Sequence, residues 1–426
     1  MMLASTGEFS IDTCLETDAM RVLLQQSLPG FAEGRLTIAQ LRIVKARLNA
    51  SIQRNPNRLT LCYELDVRDT ATGGTGTQQF YGKVYRNGAS AQAAHGTPAL
   101  HLPQLDMLLW AWPADPGLPQ LPQLLDPGRA LAWWGEPARA VEVVRYEPEQ
   151  RATLRYLLSP GRSVPQALFA KTFCDDRGAL IHRRFEYFWA LSQQDAAAPR
   201  VAQPLGWHAD TLTVWQAQVH GMPLRQALTS APSAGLPGRL AHALATLHGA
   251  PLALAGSTAR DSTHWLTEIS RRHKKISRVA PELAERAARI AEALEDAAAR
   301  LPPYRPTLIH GDGHPEQMWL DGDRVVLFDF DEFALGDPME DLAAFVTKLA
   351  PTGIESALAL QLPAAYAQLA SAHFDSRRLQ WHLSVQQLLQ ASRTFVFQVN
   401  DWRDKLERRL ARAEALATPM STEVRT

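Results

Sequence analysis

Cysteine is scarce in this sequence, net charge is absent and no long apolar run occurs, and each absence removes a class of protein. The three cysteines, Cys14, Cys62 and Cys174, are odd in number and share no ligand-like spacing, so neither a disulfide framework nor a structural zinc site is expected. Lys plus Arg and Asp plus Glu each number 44, giving a formal charge of +0, whereas a nucleic-acid or anionic-membrane surface needs a basic field. No apolar stretch reaches the roughly 18 residues of a membrane span. The opening residues lack the basic segment and apolar core of a secretory signal. The expectation is a cytoplasmic protein with neither nucleic acid nor membrane as partner. What remains, 426 residues with 46% apolar and 21% charged, is an ordinary globular composition long enough for two or three domains.

A helix is predicted from about Glu16 to Ser27, stopped by Leu28-Pro29-Gly30. The pattern then turns to β. Arg58 to Leu65 alternates, Thr70 to Thr77 is a Gly- and Thr-rich loop without the Gly-Lys-Ser/Thr ending of a phosphate cradle, and Phe80 to Tyr85 is a second short strand. The same plan recurs. Arg151 to Leu158 repeats the R-x-T-L-x-Y-x-L of Arg58 to Leu65, a Pro precedes each copy at Pro56 and Pro148, and Phe169 to Phe173 repeats the aromatic-small-Lys-x-aromatic order of Tyr81 to Tyr85. Two small sheets in tandem are therefore expected. Between them, Leu102 to Glu136 is rich in Leu, Pro and Trp; its prolines forbid a long helix, and it is expected to pack as a belt on one sheet, burying its Trp pairs.

Beyond the second copy, Gly178 to Gln194 has helical spacing of Phe185, Phe188, Trp189 and Leu191, Leu212 to Val219 reads as a strand, and the chain from Leu224 is mainly helical. The expected fold class is α+β and bilobal, with a β-rich lobe over residues 137–218, a helical lobe over 219–426, and an extra β-containing domain over 1–136. The site is expected in the cleft between the lobes.

Leu308 to Ala343 carries the chemistry. His310-Gly311-Asp312 is followed by Gln317, by the apolar run Val325 to Phe328, by Asp329-Phe330-Asp331, and by Gly336-Asp337-Pro338 with Asp341-Leu342-Ala343. Phosphoryl transfer asks for an acid near the acceptor hydroxyl, oxygen ligands for Mg²⁺ and a cation on the nucleotide phosphates. Asp312 on a loop suits the first role, Asp329 at the end of an apolar strand suits the second, and Gln317 can offer the same metal an amide oxygen.

This set of motifs resembles the aminoglycoside phosphotransferase and choline kinase superfamily of small-molecule kinases, whose fold is similar to that of protein kinases. Leu240-Ala241 through Leu247-His248 is similar to its L-A-x-x-L-A-x-L-H helix, and Val219 to Leu224 to its post-hinge turn. The resemblance implies Asp312 as the catalytic acid, Asp329 as the Mg²⁺ ligand with Asp331 assisting, and Asp337 and Asp341 as braces of the loop. Gln317 stands where most of the family has Asn, a change of reach of roughly 1.5 Å. The pattern H-G-D-x-H-x-x-Q, with His314, is similar to that of bacterial maltokinases. ATP and Mg²⁺ are the implied cofactors, and a small-molecule hydroxyl is the implied acceptor.

Two lysines compete for the phosphates. Lys171 is followed by Glu186 on the predicted helix, similar to the strand-lysine and helix-glutamate pair of kinases, whereas Lys83 has no acid after it until Asp106, so Lys171 with Glu186 is preferred. Arg151, on the turn in the position of a nucleotide-covering loop, and Gln216 and Gln218, on the strand entering the post-hinge turn, complete the candidates for the nucleotide side. His310 is read as structural. The rival reading is a pseudokinase that binds nucleotide without transferring phosphate. A metallophosphoesterase, which Gly311-Asp312-Gly313-His314 also resembles in part, is set aside, because the upstream D-x-H and downstream G-N-H it needs are missing.

Overall fold

The computed structural model describes residues 11–48, 57–135, 137–159, 166–230, 235–349, 353–396 and 401–422. Pro56 and Glu136 lie outside the described residues. The chain divides into two compact units: residues 1–125 with 148–150 and 393–403, and residues 126–147 with 151–392 and 404–426.

The first unit is a five-stranded antiparallel sheet backed by helix α1 (Thr17–Ser27). Its strands are β1 (Leu36–Leu48), β2 (Asn57–Asp69), β3 (Thr75–Tyr85), β4 (Leu100–Leu102) and β5 (Met107–Ala111), in the order β1-β2-β3-β5-β4. Period-two alternation sends Leu59, Leu61, Tyr63 and Leu65 of β2 into a core with Met20 and Leu24 of α1. The Tyr63 hydroxyl is satisfied there by donating to the Cys14 carbonyl at 2.7 Å. The Leu102 to Glu136 stretch departs from expectation. Its start supplies the end of β4 and the whole of β5 to this sheet, because Met107 to Trp110 is buried without alternation and so offers no period-two signal.

The second unit opens with a sheet of the same plan. Strands β6 (Ala140–Glu147), β7 (Arg151–Leu157), β8 (Ala167–Phe173), β9 (Pro204–His208) and β10 (Thr213–Ala217) run in the order β6-β7-β8-β10-β9. The two sheets agree in detail. In each, the last strand follows a short 3₁₀ turn and one residue in left-handed conformation, Asp106 at φ 48° and Leu212 at φ 47°. In each, the lysine of the middle strand opposes the second residue of that last strand, Lys83 against Leu108 and Lys171 against Val214. The equivalence ends at the side chains: Lys83 pairs with Glu149 within the first unit, and the Glu149 N–H donates to Asp115 there at 2.8 Å.

Helix α2 (Gly178–Gln194) packs on the second sheet through Ile181, Phe185 and Phe188. Next comes the short strand β11 (Met222–Pro223), and the rest is largely helical: α3 (Leu236–His248), α4 (Ser262–Val279), α5 (Ala284–Ala298), α6 (Pro338–Thr347), α7 (Gly353–Leu369), α8 (Ser376–Val396) and α9 (Trp402–Thr422). Short strands frame the site: β12 (Ala259–Arg260), β13 (Thr307–Ile309), β14 (Met318–Asp321), β15 (Arg324–Leu327) and β16 (Ala334–Gly336). They form two three-stranded sheets, β11-β14-β15 and β12-β16-β13. The second unit is thus a β-rich lobe and a helical lobe sharing one apolar core, from Phe173 and Phe185 to Phe330 and Leu342. No helix among the described residues is long and apolar enough to cross a membrane.

Candidate active site

Strand β13 is fully buried and delivers the chain to His310, after which Gly311 turns it with φ +75°. A side chain at Gly311 would set its Cβ 2.3 Å from the Glu332 carbonyl oxygen, so the turn needs glycine for both space and conformation. The loop is fastened from below by Asp341 of α6, which is fully buried and accepts the His310 N–H at 2.6 Å, the Gly311 N–H at 2.9 Å and His248 Nε2 at 3.1 Å. Burial opposes the Asp341 charge, but the bonds from His248 and the loop amides outweigh it and hold the carboxyl below its ordinary range. His310 is structural: its ring is buried and its Nε2 meets the Phe328 carbonyl at 2.9 Å.

Asp312 therefore projects from a fixed backbone. Its carboxylate lies 3.1 Å from Lys348 Nζ and 3.7 Å from His314 Nε2, and the other ring nitrogen of His314 reaches Glu316 at 2.6 Å. Burial alone would raise its pKa; His314 and Lys348 reverse this and keep Asp312 ionised well below the usual carboxylate range.

The second acid loop follows β15. Asp329 adopts the left-handed region at φ 59°, and Phe330 inserts into the core, stacked on Phe185 at 4.4 Å. Lys171 Nζ reaches from β8 to both acids, 2.6 Å from Asp329 and 2.6 Å from Asp331. Arg151, at the start of β7, pairs with Asp331, and Gln317 Nε2 donates to Asp329 at 2.9 Å. Two carboxylates thus face two cations. Burial opposes the Asp329 charge, but Lys171 and Arg151 win and hold its pKa low; Asp331 is more deeply buried, and desolvation together with the Asp329 charge pushes it up.

Residues 166–382, just over half of the chain, match the model of the phosphotransferase enzyme family designated APH. The chain belongs to this phosphotransferase family. Among solved structures, a thermostable mutant of aminoglycoside phosphotransferase APH(4)-Ia in its apo form shares 17% identity over 69% of this chain and 98% of its own, with a TM-score of 0.50. A choline/ethanolamine kinase family protein from Mesorhizobium loti shares 18% identity over 69% of this chain and 92% of its own, with a TM-score of 0.48. At 17% identity the likeness to the aminoglycoside phosphotransferase is one of fold. No curated protein sequence matches the chain.

In this family member with a protein-kinase-like fold, most of the expected site residues are held in one place. Lys171, Arg151, Asp329, Asp331 and Gln317 form a single bonded cluster. The expected pairing of Lys171 with Glu186 is not formed. Glu186 is exposed and meets His182 at 3.4 Å on its own helix, while Lys171 is occupied by the two acids. Instead Arg184 of α2 bonds the acid loop: its buried guanidinium donates to the carbonyls of Phe330 at 2.5 Å, Leu254 at 2.8 Å, and Ala255 and Phe333 at 3.3 Å. Burial pushes its pKa down to about 10. The sequence held a signal for it, because Ile181, Arg184, Phe185 and Phe188 recur at helical spacing.

Gln216 and Gln218 stand apart from the cluster. Gln216 is half-buried on β10, opposite Phe169, and Gln218 lines a cavity of about 610 Å³ with Trp189, Gln193, Arg200 and Arg324, none of which belongs to the acid cluster. Lys348 and Arg260 were not legible beforehand: each meets its acid only through tertiary contact, 36 residues from Asp312 for Lys348 and 80 from Glu340 for Arg260.

Proposed function

We propose that this chain transfers the γ-phosphate of ATP, with Mg²⁺, to a hydroxyl of a small molecule, and that a sugar or sugar-like alcohol is a better acceptor than an aminoglycoside. One observation carries the reading: Lys171, Arg151, Asp329, Asp331 and Gln317 gather in one cluster, and Asp312 stands ionised on the loop that supplies Gln317. These are the charges that phosphoryl transfer requires.

Asp312 accepts the acceptor hydroxyl's proton as the oxygen attacks, and its low pKa suits orienting that proton more than storing it. Lys171 and Arg151 supply positive charge to the phosphate oxygens once nucleotide competes with the acids for them. Among the described residues no three or more His, Cys, Asp and Glu form a metal cage. Mg²⁺ needs none, since it binds through one or two carboxylates plus substrate phosphates. Asp329, Asp331 and the Gln317 amide oxygen are hard donors that fit it, and Mg²⁺ bound there would neutralise charge between the phosphates. The acceptor preference rests on Lys348, whose ammonium 3.1 Å from Asp312 disfavours a polycationic substrate.

A thermal-shift series with ATP, with and without Mg²⁺, followed by an acceptor screen over sugars, amino alcohols and aminoglycosides tests the reading. ATP is expected to raise the melting temperature in a Mg²⁺-dependent manner. Asp312→Asn is expected to lower kcat by about 10²–10⁴ while keeping that shift. Absence of phosphorylated product from every acceptor, with ATP still bound, would leave the pseudokinase reading in its place.

A further inference from the structure

Arg260 belongs to none of the motifs, yet it touches all three segments of the site. It ends the two-residue strand β12, which pairs in parallel with β16, and β16 pairs in turn with β13. The short sheet therefore joins the strand leading into the Asp312 loop to the strand leaving the Asp331 loop. From its edge, Arg260 Nη1 donates to the Gly311 carbonyl at 2.6 Å and to Glu340 at 2.6 Å, and Nη2 donates to Glu332 at 2.9 Å. Gly311 precedes Asp312, Glu332 follows Asp331, and Glu340 is a fully buried residue of α6 beside Asp341. The two loops touch under this guanidinium: a Cβ at Gly311 would lie 2.3 Å from the Glu332 carbonyl oxygen and 3.0 Å from Arg260 Cζ.

We propose that Arg260 is a positioning residue for phosphoryl transfer, a three-way clamp that fixes the spacing between the Asp312 loop and the Asp329–Asp331 loop by holding both to α6. The proposal rests on the phosphotransferase reading above. A planar fork with fixed donor directions can hold a carbonyl and two carboxyl groups at once, which a lysine ammonium on a flexible stem cannot reproduce. Arg260 bonds none of the five groups proposed to meet phosphate and metal, so its loss acts on the distance between them. Displacement of a reacting group by about 1 Å is enough to cost on the order of 10²-fold in rate.

The test uses the full chain with Mg-ATP, taking water as the acceptor where the screen gives no other. Arg260→Lys keeps a cation beside Glu340 and removes the fork. It is expected to lower kcat by about tenfold or more while KM for ATP stays within about threefold. Amide exchange of peptides covering residues 308–313 and 329–333 is expected to quicken, with exchange in β6 to β10 unchanged. Arg260→Met combined with Glu340→Gln, which removes both ends of the buried Arg260–Glu340 bond together, is expected to show the same loss of kcat and the same local exchange. Wild-type kcat in either variant, or unchanged exchange in both peptides, overturns the clamp. Failure of the wild-type protein to turn over ATP refutes the phosphotransferase reading instead, and the exchange comparison then decides the clamp alone.

Discussion

Replacing Lys171 by Met removes one of the two cations that face Asp329 and Asp331, both at 2.6 Å from its ammonium. Breaking a wholly buried ion pair costs about 3–5 kcal/mol, because the remaining charge is stranded in a poor solvent. The cost is smaller here: the Asp329 side chain is 18% exposed and Arg151 stays on Asp331, so about 2 kcal/mol is expected. At about 2 cal/mol/K of unfolding entropy per residue, that corresponds in a unit of this size to a fall of about 3–4 °C in melting temperature. Adding Asp329→Asn removes the stranded carboxylate, and the double variant should recover most of the loss while remaining inactive in ATP turnover. Circular dichroism melts of the wild type, both single variants and the double variant give the coupling directly. A double variant melting no higher than Lys171→Met would show that the acids are not electrostatically bound to Lys171, and the charge balance argued for the site would be wrong.

Glu186→Ala should change stability by less than about 0.5 kcal/mol and leave Mg-ATP turnover within twofold, since the residue is exposed and, among the described residues, meets only His182; a tenfold loss of turnover would restore the pairing with Lys171. Arg184→Met strands several buried carbonyls at about 1–3 kcal/mol each, so urea denaturation should show a loss above about 3 kcal/mol, and a loss under 1 would contradict the bonding described. Glu340 is pushed up to about 8 by burial, with Arg260 opposing and Asp341 adding to the shift. Its folded form thus holds a proton that the unfolded chain releases, so its contribution is complete at low pH and is lost as pH rises through about 8. Each pH unit in that window costs at most about 1.4 kcal/mol. Glu340→Gln should flatten the decline in urea midpoint between pH 5.5 and 8.5, and parallel curves for the two proteins would exclude the buried proton.

Local pattern and local chemistry were enough for much of this molecule. Period-two alternation announced β2 and β7, helical spacing announced α2, and the repeated R-x-T-L-x-Y-x-L announced that the two sheets share a plan, because each signal lies within one stretch of chain. The acids of Leu308 to Ala343 were legible for the same reason: a glycine turn, an apolar strand and the acids they carry follow one another in sequence. Partner choice was not legible. Lys171 and Glu186 are the right types at a familiar spacing, yet the helix turns Glu186 to solvent and Arg184 inward, so the lysine meets Asp329 and Asp331, 158 and 160 residues away. Arg260 and Lys348 carry no local mark at all. Which cation meets which acid is decided by where strands and helices bring side chains of fixed length within 3 Å, in surroundings dry enough to make each charge require a partner. The sequence determined the kinds of charge and the loops that bear them; the tertiary structure alone decided how they pair.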